Sequence, residues 1–198
     1  MKITANKITM IRIFLVPLIL VFIFLAEAWE YSPFIALFVY LLGVLTDTVD
    51  GQFARKTKTV TSLGKFLDPI SDKIFVNGIM IALIFAGVFF EKGAVLHYVN
   101  LTCITVMLPR EFAISAIRQV AADKRVIIAA DKYGKIKTVL TFISFGFFIL
   151  WLYKGPDGYA AVREAFYYCG LVLFYAATAL SIISGINYYV KNIESLRF

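Results

Sequence analysis

Residues 45–73 read LTDTVDGQFARKTKTVTSLGKFLDPISDK, and their four aspartates, Asp47, Asp50, Asp68 and Asp72, stand inside or at the edge of two strongly apolar runs. A charged side chain at the centre of a membrane helix costs about 2.5–3.5 kcal/mol on the insertion scale, so four set deep would cost on the order of 10 kcal/mol. Something positive has to face them. At about 100° per residue, Asp47 and Asp50 are about 60° apart on a helix, with Gly51 and Ala54 on the same stripe. Asp68 and Asp72, spaced i,i+4, are about 40° apart. A short polar link between the two runs makes their helices antiparallel neighbours. Two carboxylate pairs then converge from facing helices near one membrane boundary.

The composition fits a membrane setting. Of 198 residues, 61% are hydrophobic and 17% charged, where a soluble domain is about half apolar and about a quarter charged. The expectation is an all-α, polytopic membrane protein forming a single domain over residues 1–198. Runs near the roughly 20 residues that span a bilayer core fall at about 8–27, 33–55, 66–90, 95–121, 133–153 and 160–190, giving six transmembrane helices. Turn chemistry separates them, as at Glu27 to Pro33 and in Lys154-Gly155-Pro156-Asp157-Gly158. The first run, Ile8 to Ala26, is longer than a signal-peptide core and reads as a retained helix.

Lysines and arginines orient these spans. With the N-terminus on side one, that side holds fifteen: Lys2, Lys7, Arg12, Arg55, Lys56, Lys58, Lys65, Arg118, Lys124, Arg125, Lys132, Lys135, Lys137, Lys191 and Arg197. Side two holds Lys92, Lys154 and Arg163. Both termini are therefore expected to face the cytoplasm. The net charge of +7 collects on that face. There it meets anionic lipid head groups and anionic metabolites, and it is no signal for nucleic acid.

The ligand chemistry narrows the partner of the aspartates. His97 is the only histidine, and Cys103 and Cys169 lie far apart in apolar runs. Oxygen ligands alone select Mg²⁺, Mn²⁺ or Ca²⁺ over zinc or copper. Four carboxylates can bridge two such ions, the arrangement that holds attacking and leaving oxygens in phosphoryl transfer. A cation transporter or channel is the rival from another class. It would continue the carboxylates across the membrane or show inverted repeats and broken helices, and the sequence has neither. A scaffold with structural aspartates leaves their spacing unexplained.

That spacing carries a resemblance. Asp47-x-x-Asp50-Gly51-x-x-Ala54-Arg55, then eight residues, then Gly64-x-x-x-Asp68-x-x-x-Asp72 resembles the signature of the CDP-alcohol phosphotransferases at all eight fixed positions. The resemblance implies transfer of a phosphatidyl-type group from a CDP-linked lipid or alcohol to a hydroxyl acceptor, with release of CMP. It implies that Asp47, Asp50, Asp68 and Asp72 hold one or two divalent ions, Mg²⁺ or Mn²⁺. Asp72 is implied as the general base, and Gly51, Ala54, Arg55 and Gly64, with Thr59 added, as the lining of the cytidine nucleotide site. It also implies a homodimer. The chemistry suits these residues independently. An alcohol nucleophile needs a base, and a phosphate leaving group needs positive charge at hand.

Other charges bear on the acceptor. In LPREFAISAIRQ, Arg110 and Arg118 lie about 80° apart on a helix, on one broad side. Lys135 and Lys137 point about 160° apart, so one pocket is not expected to use both. Arginine's fork suits bidentate phosphate binding, so Arg110, Arg118 and Lys135 are candidates for an acceptor phosphate. The plainer alternative for Arg110 is a pairing with its neighbour Glu111. Asn6-x-x-Thr9-x-x-Arg12 and PREFAISAIR are similar to stretches in the bacterial phosphatidylglycerophosphate synthase branch of the family, although Ala5 replaces the usual proline. That similarity implies CDP-diacylglycerol and glycerol 3-phosphate as substrates, with inositol phosphate as the runner-up acceptor.

Overall fold

The computed structural model describes residues 5–57, 62–90, 93–123, 132–156 and 158–192, with side chains at 10–46, 70–90, 93–119, 121, 132–156 and 158–190. Among these residues every regular element is helical. The order is α1 (Ala5–Phe24), a 3-10 turn (Leu25–Glu27), α2 (Ser32–Thr57), α3 (Ser62–Phe85), α4 (Ala94–Asp123), α5 (Lys132–Trp151) and α6 (Ala160–Asn192). Each helix falls on one of the six expected runs. Three segments are long and apolar enough to cross a membrane among the described residues: Met10–Glu27, Lys132–Trp151 and Ala160–Val190. The apolar part of α2, Ser32–Thr46, is shorter.

Two boundaries differ from the hydropathy reading for physical reasons. α3 begins at Ser62 and α2 continues to Thr57, because polar residues extend a helix past the apolar stretch that anchors it. α3 stops at Phe85 and not at residue 90, because the chain turns through Gly87 at φ +81°. There the Gly87 N–H donates to the Ile84 carbonyl at 3.0 Å and the Val88 N–H to the Leu83 carbonyl at 3.1 Å. These two bonds form a Schellman cap, and Leu83 and Val88, the positions of its usual apolar contact, are both buried.

The chain divides into two compact units. The first comprises Met1–Val88 and Phe145–Tyr167, the second Phe89–Ser144 and Tyr168–Phe198.

In the first unit α1 packs on both α2 and α3. Its buried residues Arg12, Val16, Ile19 and Ile23 recur every three or four positions, so one stripe of α1 faces inward. The opposite faces present Phe14, Val21, Phe38 and Phe85 outward, as a lipid-facing surface would. α1 and α3 run parallel, since Arg12 meets Asp72 and Val16 lies against Gly78. α2 returns antiparallel to α1 after a tight reversal, in which the Ser32 hydroxyl donates to the Phe22 carbonyl. Pro33 sits in the first turn of α2, where its missing N–H leaves no helical bond unmade.

Two glycines permit the close helix contacts. A Cβ at Gly43 would run into the Phe75 ring, which itself stacks on Tyr40 at 5.9 Å. A Cβ at Gly78 would lie 2.6 Å from Val16 Cγ1. At the far end of this unit Tyr153 meets Phe34 at 4.7 Å, Tyr159 at 5.1 Å and Tyr31 at 6.3 Å. Beside them Arg163 donates to the Trp151 carbonyl at 2.9 Å, placing a cation at the C-terminus of α5.

In the second unit, polar contacts join α4 to α6. The Tyr175 hydroxyl donates to Asn100 Oδ1 at 2.6 Å, Thr178 reaches Met107 Sδ at 3.1 Å, and Arg110 Nη2 donates to Ser184 Oγ at 2.9 Å. The pairs ascend together, so α4 and α6 run parallel. α5 runs against α6, with Ser144 Oγ donating to the Gly170 carbonyl at 2.8 Å and Gly134 facing Ser184. Small hydroxyl residues suit such packing because they allow approach while supplying interhelical bonds.

Candidate functional site

The aspartates stand well inside their helices. Asp47 lies ten residues before the end of α2, and Asp72 ten residues after the start of α3. Both are therefore about 15 Å from the helix end that the two chains of the motif share. Asp50, Gly51, Ala54 and Arg55 follow on the α2 backbone, and Gly64 and Asp68 precede Asp72 on α3. This is deeper than the hydropathy boundaries implied, because both helices are extended by polar residues.

The contact between Gly43 and Phe75 fixes the register of α2 against α3. From it, Asp47 is one turn further along α2, about 6 Å, and Asp72 about 4.5 Å back along α3. The two helices run in opposite directions, so these displacements carry both aspartates the same way. Their backbones stand within one helical turn of the same level. The side chains of Asp47, Asp50, Ala54, Arg55 and Asp68, along with Thr59, Gly51 and Gly64, lie outside the described residues, as do those of Asn6 and Thr9. Among the described side chains no three metal-ligating groups come together. Asp72 is the one member of the aspartate set within that description. The arrangement nevertheless fits a divalent ion in its two checkable respects. The donor set is all hard oxygen, and the backbone brings carboxylate-bearing positions of two helices to one level.

Asp72 has a partner that the residue spacing alone did not reveal. The Arg12 guanidinium donates to Asp72 Oδ1, joining α1 to α3. Arg12 is 1% exposed and Asp72 49% exposed. The carboxylate is thus held by a buried cation and is itself half exposed. In the sequence, Arg12 figures only in the count of basic residues and in the N-terminal pattern. Its position on the buried stripe with Val16, Ile19 and Ile23 was the signal that could have brought it forward.

The second unit holds the other candidates. Arg110 donates to Ser184 and lies 3.5 Å from Glu111, so the bland pairing with its neighbour is present. Gly185 makes room for the arginine, since a Cβ there would lie 3.3 Å from Arg110 Nε. Lys137 donates to Glu111 Oε1 and is 7% exposed. Arg118 is exposed and its guanidinium stands 5.3 Å over the ring of buried Tyr188, a cation–π contact. Lys135 is exposed. The opposed directions of Lys135 and Lys137 are as helical geometry requires, but the lysine linked to Arg110 through Glu111 is Lys137. Only the rotation of α5 against α4 distinguishes the two lysines, and that is a tertiary property.

With this geometry in hand, comparison with known proteins is informative. The family model "CDP-alcohol phosphatidyltransferase" matches residues 2–183. The chain is 32% identical to a Bacillus subtilis protein named CDP-diacylglycerol–glycerol-3-phosphate 3-phosphatidyltransferase, over 97% of this chain and 96% of that one. It is 31% identical to the Escherichia coli (strain K12) protein of the same name, over 91% and 90%. It is 29% identical to the one from Mycoplasma genitalium, over 98% and 85%.

Proposed function

Because the chain belongs to the CDP-alcohol phosphatidyltransferase family, and is a phosphatidyltransferase by that membership, we propose that it transfers the phosphatidyl group of CDP-diacylglycerol to glycerol 3-phosphate. A hydroxyl oxygen of glycerol 3-phosphate forms a bond to the phosphorus that carries the diacylglycerol. The bond from that phosphorus to the bridging pyrophosphate oxygen breaks, and CMP leaves with that oxygen. The hydroxyl proton passes to Asp72. The products are phosphatidylglycerophosphate and CMP, a step of phospholipid synthesis.

The observation that carries this reading is the shared level of Asp47 and Asp72 on two antiparallel helices, with Asp72 half exposed on a buried arginine. Asp47, Asp50, Asp68 and Asp72 would hold Mg²⁺ or Mn²⁺, in keeping with two ions. When bound, the ions supply positive charge to the phosphates and to the acceptor oxygen. Gly51, Ala54, Arg55, Thr59 and Gly64 serve the cytidine nucleotide. Arg110, Arg118 and Lys135 serve the acceptor phosphate, and Asn6, Thr9 and Arg12 are N-terminal candidates for the same site. The names of the relatives support both substrates.

The same reading sets the protein in the cell membrane with six spans, both termini and the aspartates toward the cytoplasm, as a homodimer. The excess of basic residues on one side and the apolar outer faces support the membrane placement.

The test supplies purified protein with CDP-diacylglycerol and, in turn, glycerol 3-phosphate, serine, inositol and inositol phosphate, and measures CMP release. The expected result is release that depends on glycerol 3-phosphate, stops on chelation and returns with Mg²⁺ or Mn²⁺. Equal release with inositol phosphate would transfer the reading to that acceptor. No release with any acceptor would end it.

A further inference from the structure

The N-terminal pattern makes Arg12 a site candidate without saying what it does there, yet its setting is demanding. It lies on the inward stripe of α1, four residues before Val16, and is 1% exposed in a helix whose other buried members are apolar. A cation so placed in a membrane helix costs several kcal/mol unless a carboxylate meets it. A lysine or arginine kept only for topology would sit on an outward stripe and reach the head groups. Arg12 turns inward instead, and what it grips is the aspartate expected to take the proton. That contact spans 60 positions of sequence and joins two parallel helices.

From this geometry we infer that Arg12 is a positioning residue, holding Asp72 by Oδ1 from the buried side so that the carboxylate presents its exposed side to the acceptor hydroxyl. The inference rests on the phosphatidyl-transfer reading above and deepens it. A base is effective only within hydrogen-bond reach of its proton, and catalytic groups need placement to within about 0.5 Å. A carboxylate has two torsions to fix. A planar guanidinium anchored on the core stripe of a packed helix restrains both, where an ammonium on a flexible stem restrains fewer. Arg12 itself touches no reacting atom.

The test uses the full-length protein in detergent, with steady-state rates against both substrates and Mn²⁺ binding followed by electron paramagnetic resonance. Arg12→Ala is expected to lower kcat by at least about tenfold, as a misplaced base does, while the KM values for CDP-diacylglycerol and glycerol 3-phosphate stay within about threefold. Mn²⁺ affinity should also stay within about threefold, because the other carboxylates remain. Arg12→Lys should recover part of the lost kcat.

The inference is overturned if kcat in Arg12→Ala stays within about twofold of the unchanged protein, or if the loss appears in KM. It is equally overturned if Mn²⁺ binding weakens as much as in Asp72→Asn, which would make Arg12 a builder of the ion site. Where the alanine variant is not monodisperse, Arg12→Lys decides: reduced kcat at unchanged KM supports the inference, and unchanged kcat overturns it. Absence of CMP release by the unsubstituted protein would count against the reading of the reaction, whereas normal release with an indifferent Arg12 counts against this inference alone.

Discussion

The Phe75 ring of α3 fills the space beside Gly43 of α2 that a β-carbon would enter. Any side chain at Gly43 must push the two helices apart or displace a ring stacked on Tyr40. Gly43→Val is expected to destabilise the protein by about 1–3 kcal/mol, the usual range for overpacking. Because Asp47 is the next turn of the same helix, kcat should fall as well. Thermal unfolding in detergent and CMP release check the two effects together. Phe75→Leu combined with Gly43→Ala should recover stability relative to Gly43→Ala alone, since the smaller side chain vacates the contested space.

Asp72→Asn retains the shape of the side chain and its contact with Arg12 through a carbonyl oxygen, but removes the capacity to accept the proton. Turnover should drop by about 10²–10⁴, the range for a lost general base. Binding of CDP-diacylglycerol, measured by isothermal calorimetry, should largely persist. Full activity in this variant would remove the general-base assignment.

The buried pair between Lys137 and Glu111 makes a prediction about stability that is separate from chemistry. Lys137 is 7% exposed and Glu111 24%. Glu111→Gln leaves the ammonium inside without its carboxylate, and is expected to cost about 3 kcal/mol, the low end for a broken buried pair. Adding Lys137→Met should return much of that loss, because removing both charges removes the desolvation cost of each. A double-mutant cycle on unfolding midpoints measures the coupling directly.

Arg118 lies exposed over the Tyr188 ring, presented rather than consumed by a salt bridge in the described contacts. Arg118→Ala should raise KM for glycerol 3-phosphate by about tenfold, the scale of one lost charge-assisted bond, with little change in KM for CDP-diacylglycerol. Equal changes in both would argue against an acceptor role. Arg118→Lys should recover little, since the fork and its stacking on the ring are both lost.

Helix existence, order and the grouping of aspartates on two adjacent helices were legible in the sequence, because hydropathy and the 3.6-residue period act locally. The inward turn of Arg12 was partly legible. Val16, Ile19 and Ile23 continue its stripe, but nothing local says that the stripe leads to Asp72 rather than to some other carboxylate. Which of Lys135 and Lys137 meets Glu111 was not legible at all. Helical geometry allows only one of them to face a given neighbour, and the rotation of α5 that selects Lys137 arises from packing against residues far away in sequence. Gly43 and Gly78 show the same limit. Taken singly, neither could be tied to an interface, yet each meets a bulky partner on another helix, Phe75 and Val16.

The contact of Gly43 with Phe75 also acts as a fulcrum. Asp47 stands about 6 Å beyond it on a rigid α-helix. A tilt of α2 by about 5° about that point therefore moves the Asp47 backbone by only about 0.5 Å, near the tolerance of a catalytic group. At the other end of α2, Ser32 is eleven residues from the fulcrum, an arm of about 16 Å, so the same tilt moves it nearly three times as far. A swing of the outer end thus reaches Asp47 reduced to roughly a third.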